Sequence, residues 1–291
     1  MQAPGRTTST CPRLSDGCGW RPDLLPSGRI RRRHGRRGPR WAGAGINDSR
    51  PDLEPLAKNR VVIFYDQRGG GRSELPDTTL LTPAHYVGDL EAVREYFGLE
   101  QMRLVAQSFG AIVVAEYLRA HPHRVARMVF LAPTGPNRAE AARFYGRAPE
   151  TSDTTALRRQ SDIMRSLMEG RAADPVAACR ELEALDVRLW VMFAGRKGTT
   201  CDMPVPALRY HYQYTARLAP EAFGKWDFTH SFSKVRAPLL VIHGERDTLG
   251  LTMNRSWAKA IPTGDSWSYP MRSGRPMPND RTPSFRPSMN S

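Results

Sequence analysis

Ser108 stands in Ala106-Gln107-Ser108-Phe109-Gly110, between the apolar run "RLVAQ" (103–107) and a helix-like stretch over 109–120. A serine hydroxyl is a weak nucleophile. It needs a base to take its proton and donors to hold the oxyanion that its attack creates. A sharp strand-to-helix turn lifts the hydroxyl above a sheet and turns the next backbone N–H into one such donor. Small residues flank the serine in that turn because neighbouring backbone comes close; here Ala106 takes the first small position and Gly110 the last. A serine before a helix has a second ordinary use, as an N-cap, and the motif alone does not separate the two. Asp247, in "VIHGERDTLG", sits in a polar turn just past another apolar run, where an acid that orients a histidine is expected; a turn-forming aspartate is the alternative. The histidines are at 34, 85, 121, 123, 211, 230 and 243, and none follows Asp247. The sequence therefore offers a nucleophile and an acid without a base in the usual place.

The elements that must position these residues alternate. "RVVIFYD" (60–66) reads as a buried strand followed by the glycine-rich turn "QRGGGRS". "TPAHYVGDLEAVREYFG" (82–98) reads as a helix, with Thr82 at its cap, Pro83 in its first turn and Gly98 at its end. Tyr86, Leu90, Val93 and Phe97 recur at helical spacing on one apolar face. Strands follow at 103–107, 126–133 and 237–244, with a helix at 109–120. This alternation predicts an α/β fold: a mostly parallel sheet flanked by helices. Residues 138–230 are helical in pattern. Leu157, Met164, Leu167 and Met168 form a candidate stripe, and "PALRYHYQYTARL" (206–218) is rich in aromatics. An insertion that leaves and rejoins a sheet is expected over its C-terminal edge, where such sheets bind ligands.

The expected organisation is a basic arm of low order at 1–50, a first part of the core at 51–137 and a helical cap at 138–230. A second part of the core follows at 231–263, then an irregular tail at 264–291. The formal charge is +14, but residues 1–50 hold eleven arginines against Asp16, Asp23 and Asp48, so the excess lies mostly in the arm. The tail carries prolines at 270, 276, 278, 283 and 287 and repeats the Ser/Arg/Pro/Gly texture of the arm, a texture that GC-rich coding DNA gives when read out of frame. It is not expected to supply a closing strand or helix. Cys11, Cys18, Cys179 and Cys201 show no paired metal-ligand spacing and no disulfide-rich density, so reduced thiols are expected. No metal or cofactor is expected. With no membrane-length apolar run and no signal-like start, the expected address is cytoplasmic.

"VVIFYDQRGGGRSE" (61–74), with "AQSFG" and "GERD", resembles the corresponding segments of proline iminopeptidases and their close α/β-hydrolase relatives, over roughly 51–263. The resemblance implies an α/β-hydrolase sheet with a helical cap. It also implies hydrolysis of an N-terminal proline amide, or a related amide or ester, through an acyl-enzyme. Carried over by position, Ser108 is the nucleophile, Asp247 the acid, and Phe109 the donor of one oxyanion N–H. Asp66, Gln67, Arg68 and Gly69 match the segment that braces the site. The second oxyanion donor would come from an "HGGPG" motif; "HGRRGP" matches it at His34 and Gly35 and then departs, with Arg36 and Arg37 where small residues belong.

The expected activity is that of a serine hydrolase of the aminopeptidase or esterase type, acting on a small molecule or short peptide and impaired by the missing base. Two other readings stay open. One is a non-catalytic protein of the same fold that binds a small ligand under its cap. The other is nucleic-acid binding through the arm, which is not the expected partner; nor is a membrane.

Overall fold

Four strands, β1 (Met102–Gln107), β2 (Val125–Leu131), β3 (Leu239–Gly244) and β4 (Gly264–Tyr269), lie side by side in that order, every pair parallel. The computed structural model describes residues 50, 53–73, 75–145, 154–185, 200–244 and 250–269. Parallel neighbours need a crossover. The first is α2 (Gly110–Ala120), buried at every position from Gly110 to Leu118. A helix that is apolar all round must be covered all round, and α2 packs against β1 and against α1 (Pro83–Tyr96). The last crossover is α8 (Leu251–Ala260), whose Trp257 is fully buried against Phe130 and Phe228.

α1 buries Tyr86, Leu90 and Val93 as its spacing predicts, while Phe97 is only partly buried. Thr82 stands at its N-cap, but the hydroxyl pairs with His85 Nδ1 at 2.7 Å rather than capping the helix. Gly98 ends it with φ +60°, which lets Leu99 N–H reach the Arg94 carbonyl at 3.0 Å.

The connection from β2 to β3 holds α3 (Arg138–Tyr145), α4 (Thr154–Met168), α5 (Pro175–Leu185) and α6 (Val205–Tyr210). Among the described residues it also holds a short turn at Thr200–Asp202, a π-helical turn (His211–Thr215) and α7 (Ala216–Ala222). This layer has its own apolar core, including Ile163, Leu167, Leu182, Leu208 and Tyr212, separate from the core around the sheet. The expected stripe on α4 is corrected: Ile163 and Leu167 are buried, whereas Met164 and Met168 are exposed, because the covered face is set by α5.

Three further expectations are corrected. Residues 60–66 form no strand, although Ile63 and Tyr65 are buried in the sheet core. A strand exists by its ladder, and no segment among the described residues pairs with this one. Gly264–Tyr269, expected to be irregular, is β4; it pairs with β3 from Leu239↔Gly264 to Gly244↔Tyr269. An edge strand is held through its backbone, so its polar sequence hid it. Glycine is needed where it starts, since a Cβ at Gly264 would overlap the Ala258 carbonyl. Residues 270–291 lie outside the described residues, as does the arm at 1–49.

The third correction concerns the thiols: Cys179 and Cys201, both buried, form a disulfide that ties α5 to the turn at Thr200–Asp202. It closes a loop with a sequence separation of 22. By loop-closure entropy such a bond stabilises by about 3 kcal/mol. Replacing both cysteines by alanine should lower the urea midpoint accordingly, with a chelator present throughout. An unchanged midpoint would mean that the bond constrains nothing the rest of the layer does not already hold.

Candidate active site

Ser108 has φ +50°, one of two non-glycine residues with positive φ among those described. Such a conformation is strained for a side-chain-bearing residue and persists only where its surroundings impose it. Here they do. Ser108 N–H donates to the Leu131 carbonyl at 3.1 Å, and its own carbonyl accepts from Thr134 N–H at 3.0 Å and Ala111 N–H at 3.1 Å. The N-cap of α2 is Phe109, and no side chain caps the helix there. Ser108 is therefore not a capping serine; it is the corner between β1 and α2. Phe109 and Gly110 open the first turn of that helix, where backbone N–H groups have no intrahelical partner and the positive end of the helix dipole lies. Ala106 is wholly buried, so its methyl fits where a glycine would also serve.

The β2 end lies beside this corner, because Gln107 pairs with Leu131 and Leu131 with Ile242. β3 ends at Gly244 on the same edge of the sheet, two strands from β1, a spacing of about 10 Å. Asp247 follows three residues later and lies outside the described residues, as do His34 and Gly35. Beside Ser108 rises an aromatic wall. Phe109 meets Phe223 edge-on at 5.1 Å and Trp226 at 6.0 Å, and Tyr86 of α1 reaches Phe223 at 5.7 Å. The Arg138 guanidinium lies over Trp226 at 4.9 Å.

The segment Asp66-Gln67-Arg68-Gly69 is buried throughout. Arg68 forms a two-pronged ion pair with Asp89 of α1, Nε to Oδ2 at 2.7 Å and Nη2 to Oδ1 at 2.6 Å. Its third nitrogen donates to the Leu80 carbonyl at 3.2 Å. That positive charge adds to burial in holding the nearby His85 below its usual range. Asp66 accepts from Arg72 N–H at 2.9 Å, and Ser73 donates to the Asp66 carbonyl. Gly71, at φ +55°, has no room for a side chain, because a Cβ would overlap the Asp66 carboxylate. The helical layer reaches down onto this loop. Thr215 donates to the Gly69 carbonyl at 2.8 Å, Tyr210 donates to the Pro76 carbonyl, and Met203 sulfur accepts from Gly71 N–H at 3.4 Å. So Arg68 ties the loop to α1, Asp66 closes the turn on itself, and Gly69 and Gly71 let the helical layer close on it.

Sequence reasoning missed Asp89, Thr134, Tyr210 and Thr215. Asp89 carried a signal, as a lone carboxylate between Tyr86 and Leu90 on a helix whose apolar face is buried. The others work through backbone contacts or lie in the aromatic-rich stretch read only as packing.

None of the described histidines is hydrogen-bonded to Ser108. His85 pairs with Thr82, and His243 is buried with Nδ1 3.0 Å from the Gly244 carbonyl. His121 lies against Tyr117, and His230 is exposed beside Asp227. His211, in the π-helical turn, has Nδ1 enclosed without a partner, and burial pushes its pKa down to about 4. A histidine held neutral below its unfolded pKa contributes stability that is complete above that value and is lost as pH falls toward the folded one. The chain should therefore lose on the order of 2–3 kcal/mol through this residue between about pH 6.5 and pH 4. His211→Gln should flatten the fall in melting temperature over that window. A slope identical to that of the parent would refute the assignment.

A strained serine between a parallel strand and a buried helix, at the C-terminal edge of a helix-flanked sheet, defines a hydrolase corner. Residues 45–270 match the α/β hydrolase fold family, and the chain belongs to it. Two curated relatives are proline iminopeptidases. The one from Levilactobacillus brevis is 26% identical over 231 residues, covering 75% of this chain and 74% of that protein. The one from Heyndrickxia coagulans is 37% identical over 82 residues, and the match spans only 28% of its length. An α/β hydrolase enzyme from a Medee basin deep-sea metagenome library shares the fold with a TM-score of 0.54 at 16% identity, covering 80% of both chains.

Proposed function

We propose that the chain carries a serine-hydrolase site of the proline-iminopeptidase type, with Ser108 as nucleophile, Asp247 as acid and Phe109 N–H as one oxyanion donor, and that its turnover is impaired for want of a base. The observation that carries the reading is the backbone of Ser108, whose φ of +50° at the strand–helix corner is what a presented nucleophile requires. The second oxyanion donor falls to Gly35 on the resemblance alone. The helices between β2 and β3 act as a cap, and the aromatic wall of Phe109, Phe223 and Trp226 supplies the apolar surface that a small ring-bearing acyl group needs. The substrate is a small molecule or short peptide with an N-terminal proline amide, or a related amide or ester. No helix among the described residues is long and apolar enough to cross a membrane. A cytoplasmic address would keep the Cys179–Cys201 pair in exchange with cellular dithiols.

Added imidazole tests the reading, because it substitutes for the base. The chain should hydrolyse p-nitrophenyl acetate with saturation kinetics only when imidazole is present. Ser108→Ala should return the rate to that of imidazole alone. Equal rates for parent and variant at every imidazole concentration would sink the assignment of Ser108.

A further inference from the structure

Away from the sheet edge, Cys179, Glu183 and Cys201 bring two sulfurs and a carboxylate together, with their ligand atoms all within 4.8 Å of one another. Cys179 and Glu183 are one helical turn apart on α5 and so share a face. Cys201 comes from the short turn at Thr200–Asp202. Both sulfurs are buried in the core of the helical layer, whereas Glu183 is half-buried. The Tyr212 hydroxyl stands 3.3 Å from Cys179 Sγ.

We propose that the reduced Cys179–Cys201 pair, with Glu183, is a binding site for a thiophilic divalent cation of the zinc type, so that this corner of the helical layer is held either by a disulfide or by a metal.

The donor set selects the metal class. Two thiolates and one carboxylate, approached from three directions, suit a tetrahedral borderline-soft cation and not magnesium or calcium, which take oxygen. Three protein ligands leave a fourth position for water or for the Tyr212 oxygen. Sulfurs bonded to one zinc at about 2.3 Å each stand roughly 3.8 Å apart, so the two sulfurs, bonded to each other in the disulfide, must separate on reduction while Glu183 is already within reach.

The chemistry balances. Reduction of the S–S bond takes two electrons and two protons from a dithiol, which becomes a disulfide, and leaves two thiols. Cation binding then releases both thiol protons and forms two metal–sulfur bonds. Tyr212, next to Cys179, lies in the same π-helical turn as Thr215, which holds the Gly69 carbonyl.

The test uses the full chain with Cys11→Ser and Cys18→Ser, so that only the two relevant thiols remain. The protein is reduced with a phosphine, freed of excess reagent and titrated with Co2+. The expected result is a thiolate-to-cobalt charge-transfer band with tetrahedral visible bands, saturating at one equivalent, displaced by Zn2+ and absent from the oxidised protein. Cys201→Ser should abolish the bands. Glu183→Gln, which leaves the disulfide and the fold in place, should weaken Co2+ binding by at least tenfold. The proposal is overturned if the reduced protein gives no charge-transfer band, if the band survives Cys201→Ser, or if Glu183→Gln binds as tightly as its parent.

Discussion

Without added base, the purified chain should hydrolyse L-proline p-nitroanilide at a rate within about tenfold of its Ser108→Ala variant. Loss of the base from a serine triad lowers turnover by roughly 10⁴- to 10⁶-fold, because the hydroxyl then has no acceptor for its proton as it attacks. The oxyanion donors and the binding surface do not need the base, so what remains is a small rate over water. None of the described histidines is hydrogen-bonded to Ser108: His85 and His243 are engaged elsewhere, His121 and His230 lie against Tyr117 and Asp227, His123 is exposed on the turn at Pro122–Arg124, and His211 is enclosed in the helical layer. No histidine follows Asp247 in the sequence. A pH profile gives a second readout. A histidine base would impose a rise in kcat/KM near its pKa, whereas this chain should follow the hydroxide-dependent background. Turnover hundreds of times above the Ser108→Ala variant, with an inflection between pH 6 and 8, would show that an unrecognised group serves as base and would overturn the impairment.

The corner at Ser108 was legible because the same few residues meet three independent demands. "RLVAQ" must be buried on both faces, "GAIVVAEYL" must be covered all round, and a small residue must stand on each side of the serine. Only a strand–turn–helix satisfies all of these, and α2 is indeed buried along its length. The strands at 102–107, 125–131 and 239–244 announced themselves in the same way, by the short apolar runs Leu104–Ala106, Met128–Leu131 and Leu239–Ile242.

What stayed hidden depends on partners distant in sequence. Residues 60–66 have the composition of a strand, yet strand state is a property of a pair, and no described segment completes it. β4 has the opposite character: in "GDSWSY" only Trp267 and Tyr269 alternate with polar residues, too short a run to announce a strand, but its backbone finds a ladder on β3. Cys179 and Cys201 carry no local spacing signal because the bond spans a loop and is made by the packing of α5 against a turn. Thr215 and Tyr210 act on the carbonyls of Gly69 and Pro76, more than a hundred residues earlier. Nothing in the pattern of either segment records that meeting.

Breaking the Arg68–Asp89 pair should be the most damaging single change outside the core. Both side chains are almost fully buried, at 1% and 3% exposure, so each charge depends on the other for its solvation. Removing one partner from such a pair typically costs 3–5 kcal/mol, because the remaining charge is stranded in a low dielectric. Asp89→Ala leaves the guanidinium with only the Leu80 carbonyl and the face of Tyr86. Arg68→Ala takes the two-pronged donor from the Asp89 carboxylate on α1 and frees the loop that presents Gly69 and Gly71 to the helical layer. Each variant should therefore lose most of the chain's stability in urea. The combined Arg68→Met, Asp89→Leu variant should recover much of the loss, since replacing both charges with apolar groups of similar size leaves nothing unsolvated except the Leu80 carbonyl. The outcome separates two roles for the pair. If the double variant is no more stable than either single one, the pair contributes through its hydrogen-bonded geometry, which apolar groups do not reproduce. If it is as stable as the parent but the Gly71 amide, which donates to Met203 sulfur in the helical layer, exchanges faster with solvent, the ion pair serves to aim the loop at the helical layer rather than to hold the fold together. Losses below about 1 kcal/mol for Asp89→Ala would contradict the burial on which the whole argument rests.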